Sequence, residues 1–193
     1  MSRGVRLAAA TWLVVFTTVY GWAYGPANFL QLCDVAVILT CLGIMQGNAV
    51  LLSSQAVSSM VIDAAWSLDV LARQLSGRHL IGGTEYMWDT RWPLWLRLMS
   101  LFHVGWPPLL AWAVRRLGYD SRGFALQCGI AAVVLVASRA VLPEQNLNFA
   151  HRDPFFHRAW GPPPVHLALT LAVLIAVVYW PTHLVLRRLW GRR

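Results

Sequence analysis

ANFLQLCDVAVILTCLGIMQ, residues 27–46, holds one charged side chain, Asp34, among twenty residues that are otherwise apolar or small and polar. A hydrocarbon core of about 30 Å takes about 20 helical residues to cross, so the length of this stretch predicts a membrane span. Comparable runs recur along all 193 residues and leave no stretch long enough for a soluble domain. The pattern predicts six spans, at 6–24, 27–46, 49–74, 92–115, 122–142 and 164–186, within a single transmembrane domain over 1–193. Lipid offers no water to backbone N–H and C=O groups, and the runs lack the strict alternation of barrel strands. The expected fold class is therefore all-α, a polytopic integral membrane helical bundle.

Composition agrees, with 58% hydrophobic and 12% charged residues and a mean hydropathy of +0.53, far from the balance of a soluble domain. The net charge is +8 and all sixteen basic residues are Arg. Such basicity commonly marks a nucleic-acid binder, but its placement follows helix ends. Arg3, Arg6, Arg115, Arg116, Arg122, Arg187, Arg188, Arg192 and Arg193 flank one set of ends, and Arg73, Arg78, Arg91, Arg139, Arg152 and Arg158 lie toward the other. The positive-inside bias then puts both termini in the cytoplasm of a multi-pass cell-membrane protein, with no nucleic acid as partner. Trp22, Trp88, Trp92, Trp160, Trp180 and Trp190 fall near predicted helix ends, as interfacial belts require. The basic, apolar opening has the look of a signal peptide, but its apolar run is long for one and reads as an uncleaved first span. Cys33, Cys41 and Cys128 fall inside predicted helices, which suggests no disulfide framework.

The turns GP (25–26) and QGN (46–48) are short enough to make the first three helices antiparallel neighbours. Pro26 suits a first helical turn, where its missing N–H would be unpaired anyway. With the second helix starting there, Cys33 lies past the first turn, beyond the help of the helix dipole. Connections of roughly 75–91 and 143–163 emerge on the opposite, outer face. There is no visible internal repeat and no sign of paired broken helices, which argues against a transporter.

Ionisable groups at mid-bilayer cost about 2.5–3.5 kcal/mol on insertion scales, so each needs a partner or a task. Counted along the helices, Asn28, Gln31, Cys33 and Asp34 share the outer half of the second span with Asp63 and Asp69 of the third and Arg97 of the fourth. His103 follows, and Pro107 and Pro108 remove N–H groups just beyond it, predicting a kink below His103. The plain structural reading is that Asp34, Asp63 or Asp69 pairs with Arg97 or Arg139 and that Cys33 is a core thiol. His151, Asp153, His157 and His166 are spaced as H-x-D-x-x-x-H and beyond, which matches no strong ligand signature; no metal and no cofactor are expected. Ser53, Ser54, Ser58 and Ser59 read as small residues for close helix packing.

LCD at 32–34 and LFH at 101–103, within FLQLCDVA and SLFHVG, resemble the membrane superfamily of the androgen-induced hydrolases of fatty-acid esters of hydroxy fatty acids, the transmembrane acyltransferase of ether-lipid synthesis and bacterial YwaF-like proteins. The resemblance covers roughly residues 28–119. It implies an intramembrane hydrolase or acyltransferase acting on a membrane lipid, with Cys33 as nucleophile and His103 as base. Asp34 would then orient His103, and Asn28 or Gln31 would donate to the oxyanion. Asp63 and Arg97 would complete the substrate pocket. The competing expectation is a non-catalytic accessory subunit with partners in a larger bacterial membrane complex, for which compact size and abundant Trp suffice.

Overall fold

Helix α1, Arg3–Tyr24, begins where the Ser2 hydroxyl accepts a hydrogen bond from the Val5 N–H and stops before Gly25, whose φ of 78° turns the chain back. The computed structural model describes residues 1–141 and 143–191; Arg192 and Arg193, two of the cytoplasmic-end arginines of the sequence reading, lie outside these, as does the last residue of the predicted fifth span, Leu142. After α1 come α2 (Leu32–Gln46), α3 (Ala49–Ser76), α4 (Leu94–Met99), α5 (Phe102–Leu117), α6 (Arg122–Arg139), α7 (Pro163–Val173) and α8 (Trp180–Trp190). A π-helical turn over Leu174–Tyr179 joins α7 to α8. The described residues contain helices and connections and no strand.

Among the described residues, four helices are long and apolar enough to cross a membrane: α1, α3, α6 and the continuous Pro163–Trp190. Helix α2 is apolar but shorter. The chain is thus an all-helical protein whose helices suit a membrane. Helix α3 is its axis, packed against α2, α5, α6 and α8. Asn48 caps its start by accepting from the N–H groups of Val50 and Leu51 at 3.0 and 3.1 Å.

The predicted small-residue packing is present where α3 meets α6. A Cβ on Gly123 would lie 2.7 Å from both the Cβ of Ser53 and the backbone N of Ser54. Ser53 Oγ accepts from the Asp120 N–H at 2.9 Å, and Gln127 donates to Ser58 Oγ at 2.9 Å.

Two predicted spans are broken. The second, 27–46, divides into a 3-10 turn at Pro26–Leu30 and α2, with Gln31 extended between them at φ −63° and ψ 131°. Pro26 does open a helical turn, but of the 3-10 segment. Helix α2 restarts later, so Cys33 is the second residue of α2, inside the first turn rather than past it. The fourth span, 92–115, divides into α4 and α5 at Ser100–Leu101. Here the break lies before His103; Pro107 and Pro108 lie inside α5, which continues through them to Leu117. The cause is local. His103 Nδ1 lies 2.8 Å from the Ser100 carbonyl, which also accepts from the His103 N–H at 3.2 Å, and Val104 N–H falls back to Leu101. Such side-chain competition for a carbonyl interrupts the helical ladder. The expected absence of paired broken helices is therefore corrected: α2 and α5 each start at a break.

Candidate functional site around Asp63

The starts of α2 and α5 converge on α3 at Asp63. Asp34 and Asp63 are 2% and 1% exposed, His103 is 6% exposed, and Cys33 is half-buried. Asp34 accepts from Asn28 Nδ2 and, at 3.7 Å, from the Cys33 thiol. The Asp34 backbone N–H in turn lies against the Cys33 sulfur. Asp63 is close enough to act electrostatically on Cys33, and its Oδ1 is 4.0 Å from His103 Nε2. Asp63 is thus close to both Cys33 and His103.

His103 is held on two sides. Its Nδ1 donates to the Ser100 carbonyl, leaving Nε2 as the basic nitrogen facing Asp63. Its ring stacks on Trp66, with centroids 4.5 Å apart and planes 14° apart. The acid beside His103 is therefore Asp63, while Asp34, expected to orient the histidine, serves Cys33. Asn28 has one amide hydrogen committed to Asp34. Gln31 is the extended residue at the helix break, and its side chain makes no capping bond.

Aromatic hydroxyls complete the enclosure. Tyr20 OH and Ser100 Oγ are 3.1 Å apart. Tyr86, from the first outer connection, reaches Ser100 and the Trp66 indole, and burial pushes its phenol above the ordinary range. Tyr24 has its hydroxyl buried without a hydrogen bond and its ring 4.9 Å from Trp92.

The remaining polar residues have other tasks. Arg97 was expected to pair with Asp34, Asp63 or Asp69; instead its Nη1 donates to the Met87 carbonyl at 2.8 Å. Helix α4 is a separate short helix, so the guanidinium lies along the loop rather than over α3. Arg139 likewise bonds the Ala150 carbonyl at 3.0 Å and His151 Nδ1 at 2.8 Å, not an acid. Asp69 is buried and holds the first outer connection. It accepts from the N–H groups of Leu80 and Ile81 at 2.7 Å each and Gly82 at 3.1 Å, bonds His79 at 2.8 Å and receives the Thr84 hydroxyl.

In the second connection, His151 is taken up by Arg139 and the Val141 carbonyl, and His166 by the Trp160 N–H and the Phe149 carbonyl. Asp153 lies below the usual carboxylate range: its slight burial opposes this, and backbone N–H groups of Phe156, Phe155 and Arg158 outweigh the burial.

Sequence reasoning missed Asn148. Its Oδ1 accepts from Leu32 N–H at 2.8 Å, and its Nδ2 donates to the Leu30 carbonyl at 2.6 Å and to Ser138 Oγ at 2.8 Å. It thus bridges the Gln31 break and fixes the turn that carries Cys33 and Asp34. Its φ of 51° is a left-handed value that Asn tolerates. The signal in the sequence was NLN at 146–148, a turn-prone pair of asparagines.

Beyond the polar cluster, α1, α2 and α5 enclose an apolar cleft of about 420 Å³ lined by Ala9, Trp12, Cys41, Ile44, Trp106 and Leu109 among others. The indole N–H groups of Trp12 and Trp106 are buried there without a hydrogen-bond partner.

No protein-family model matches this chain, and no match was found among curated proteins or solved structures.

Proposed function

We propose that the chain is a six-span membrane protein with cytoplasmic termini that transfers or hydrolyses a lipid acyl group, using Cys33 as nucleophile. The observation that carries the reading is the contact of Cys33 with Asp34 beside the facing pair Asp63 and His103. Asp34 takes the thiol proton and the sulfur attacks the ester carbonyl. The Asp34 N–H, at the positive end of α2, favours negative charge on that sulfur. The C–S bond forms, the C–O bond breaks, and the departing alkoxide takes the proton from Asp34. His103 Nε2 then removes a proton from the acyl acceptor, whose attacking atom bonds to the acyl carbon as the C–S bond breaks, and the departing sulfur takes that proton back from His103. The free amide hydrogen of Asn28 and the side chain of Gln31 are the nearest candidates to support the oxyanion. An apolar cleft of about 420 Å³, within the usual range for ligand pockets of about 300–1,000 Å³, would take the acyl chain.

A thiol-directed acyl probe tests this. Cys33→Ala should abolish labelling of the purified protein, Asp34→Asn should suppress it, His103→Ala should leave the label in place while slowing its release, and Cys41→Ala and Cys128→Ala should leave it intact. Labelling that survives Cys33→Ala removes the mechanism. A second reading is favoured by the two interrupted helices: a carrier, in which half-helix ends face a site within the membrane. In that case substrate movement persists in Cys33→Ala.

A further inference from the structure

Asp63 is the anomaly of the site. Its side chain is 1% exposed, yet neither carboxylate oxygen has a well-formed hydrogen bond; Ser59 is beside it, outside good geometry. A buried carboxylate normally has an ion partner or several donors. Asp69, on the same helix, has five. Among the described residues no arginine pairs with Asp34 or Asp63, and the chain has no lysine. What faces Asp63 is His103 Nε2 at 4.0 Å, a separation too long for a hydrogen bond. The His103 ring stacks on Trp66, and Tyr86 reaches that indole and Ser100, so the histidine facing Asp63 is walled by aromatic side chains. Carboxylate, aromatic walls and unpaired oxygens are the chemistry that receives an organic cation with N–H donors.

We propose that the acyl acceptor is a primary amine, bound as its ammonium ion by Asp63. The proposal rests on the acyl-transfer reading and names its second substrate. The ammonium donates to Asp63 and passes one proton to His103 Nε2. The neutral amine attacks the Cys33 thioester, forming the C–N bond. The tetrahedral intermediate loses an N–H proton to Asp34, the C–S bond breaks, and the departing sulfur recovers that proton. The products are an amide and free Cys33, and His103 releases its proton to solvent. Water or an alcohol would leave the second Asp63 oxygen unpaired, whereas an ammonium has hydrogens for both Asp63 oxygens and for His103.

The test is equilibrium binding of radiolabelled n-octylamine to the full-length protein in a nonionic detergent, with octanol and octyltrimethylammonium as competitors. Saturable octylamine binding is expected. Octanol should not compete, and octyltrimethylammonium should compete at least about tenfold more weakly because it has no N–H to donate. Asp63→Asn should weaken binding at least about tenfold, and Cys33→Ala should preserve it. The ligand selectivity is read on the wild-type protein, so it stands even where a variant misfolds. No saturable binding, or octanol competing as well as octylamine, overturns the amine. Cys33-dependent acyl labelling without amine binding would leave the acyl reaction in place with a hydroxyl acceptor. Amine binding with labelling that survives Cys33→Ala would overturn the amide-forming step together with the thiol mechanism.

Discussion

Three aspartates in apolar helices look alike in the sequence and do three different things. Asp69 takes five donors and locks a loop, Asp34 lies at a helix start beside a thiol, and Asp63 has no well-formed hydrogen bond. The difference lies in which partners the chain brings to each, and an aspartate can accept hydrogen bonds from any of them. Replacing Asp69 by Ala removes the acceptor of five donors at once, of which the buried Thr84 hydroxyl alone would cost about 1–3 kcal/mol when left unmade. It should lower the unfolding midpoint in detergent and speed amide hydrogen exchange at Leu80, Ile81 and Gly82. Unchanged exchange there would mean that the connection holds itself without the carboxylate. Depth counting sets Cys33, Asp34, Asp63 and His103 at one level, and the structure brings Cys33 to Asp34 and His103 to Asp63. The errors concerned pairing: Asp63 rather than Asp34 meets His103, and Arg97 meets a carbonyl.

Each of the two broken spans has its own local reason. At Gln31 the backbone is extended, and Asn148, more than a hundred residues away in sequence, satisfies the carbonyl before the break and the N–H after it. At Ser100 a histidine side chain competes for the carbonyl. Hydropathy averages over both breaks, because flanking Leu, Phe and Trp keep the window apolar, so each read as one continuous span. The contact of α3 with α6 was more legible: serines at 53–54 and 58–59 announced a close approach, and Gly123 meets them. Gly123→Ala should lower stability by about 1–3 kcal/mol, the usual cost of overpacking, measured by thermal unfolding in detergent. The neighbouring backbone at Ser54 cannot move as a side-chain tip would. A midpoint equal to wild type would show that α6 shifts freely along α3.

Over the whole molecule, the proposed topology puts the first outer connection and the C-terminus on opposite sides of the membrane. A reporter fused after Arg193 and another inserted between Arg78 and Trp88 should therefore give opposite signals. Signals from one side only would remove the six-span arrangement, and with it the common depth of Cys33 and His103. Four helices meet the length and hydropathy of a span by themselves. The other two proposed crossings would need α2 and α5 to be completed by the short segments before them.

The sequence by itself determined the helical class, the apolar character and the positions of the long helices, because these follow from local hydropathy and from the backbone's need to bond itself in lipid. It also set Cys33, Asp34, Asp63 and His103 at a common depth. Only the tertiary structure decided where two of the helices break, which acid faces His103, and that Asp63 is buried without a well-formed hydrogen bond. Those outcomes depend on contacts between residues far apart in the chain, such as Asn148 with Leu30 and Leu32, or Asp63 with His103. Hydrogen-bond partners of this kind are chosen by packing, and no local pattern of residues encodes them.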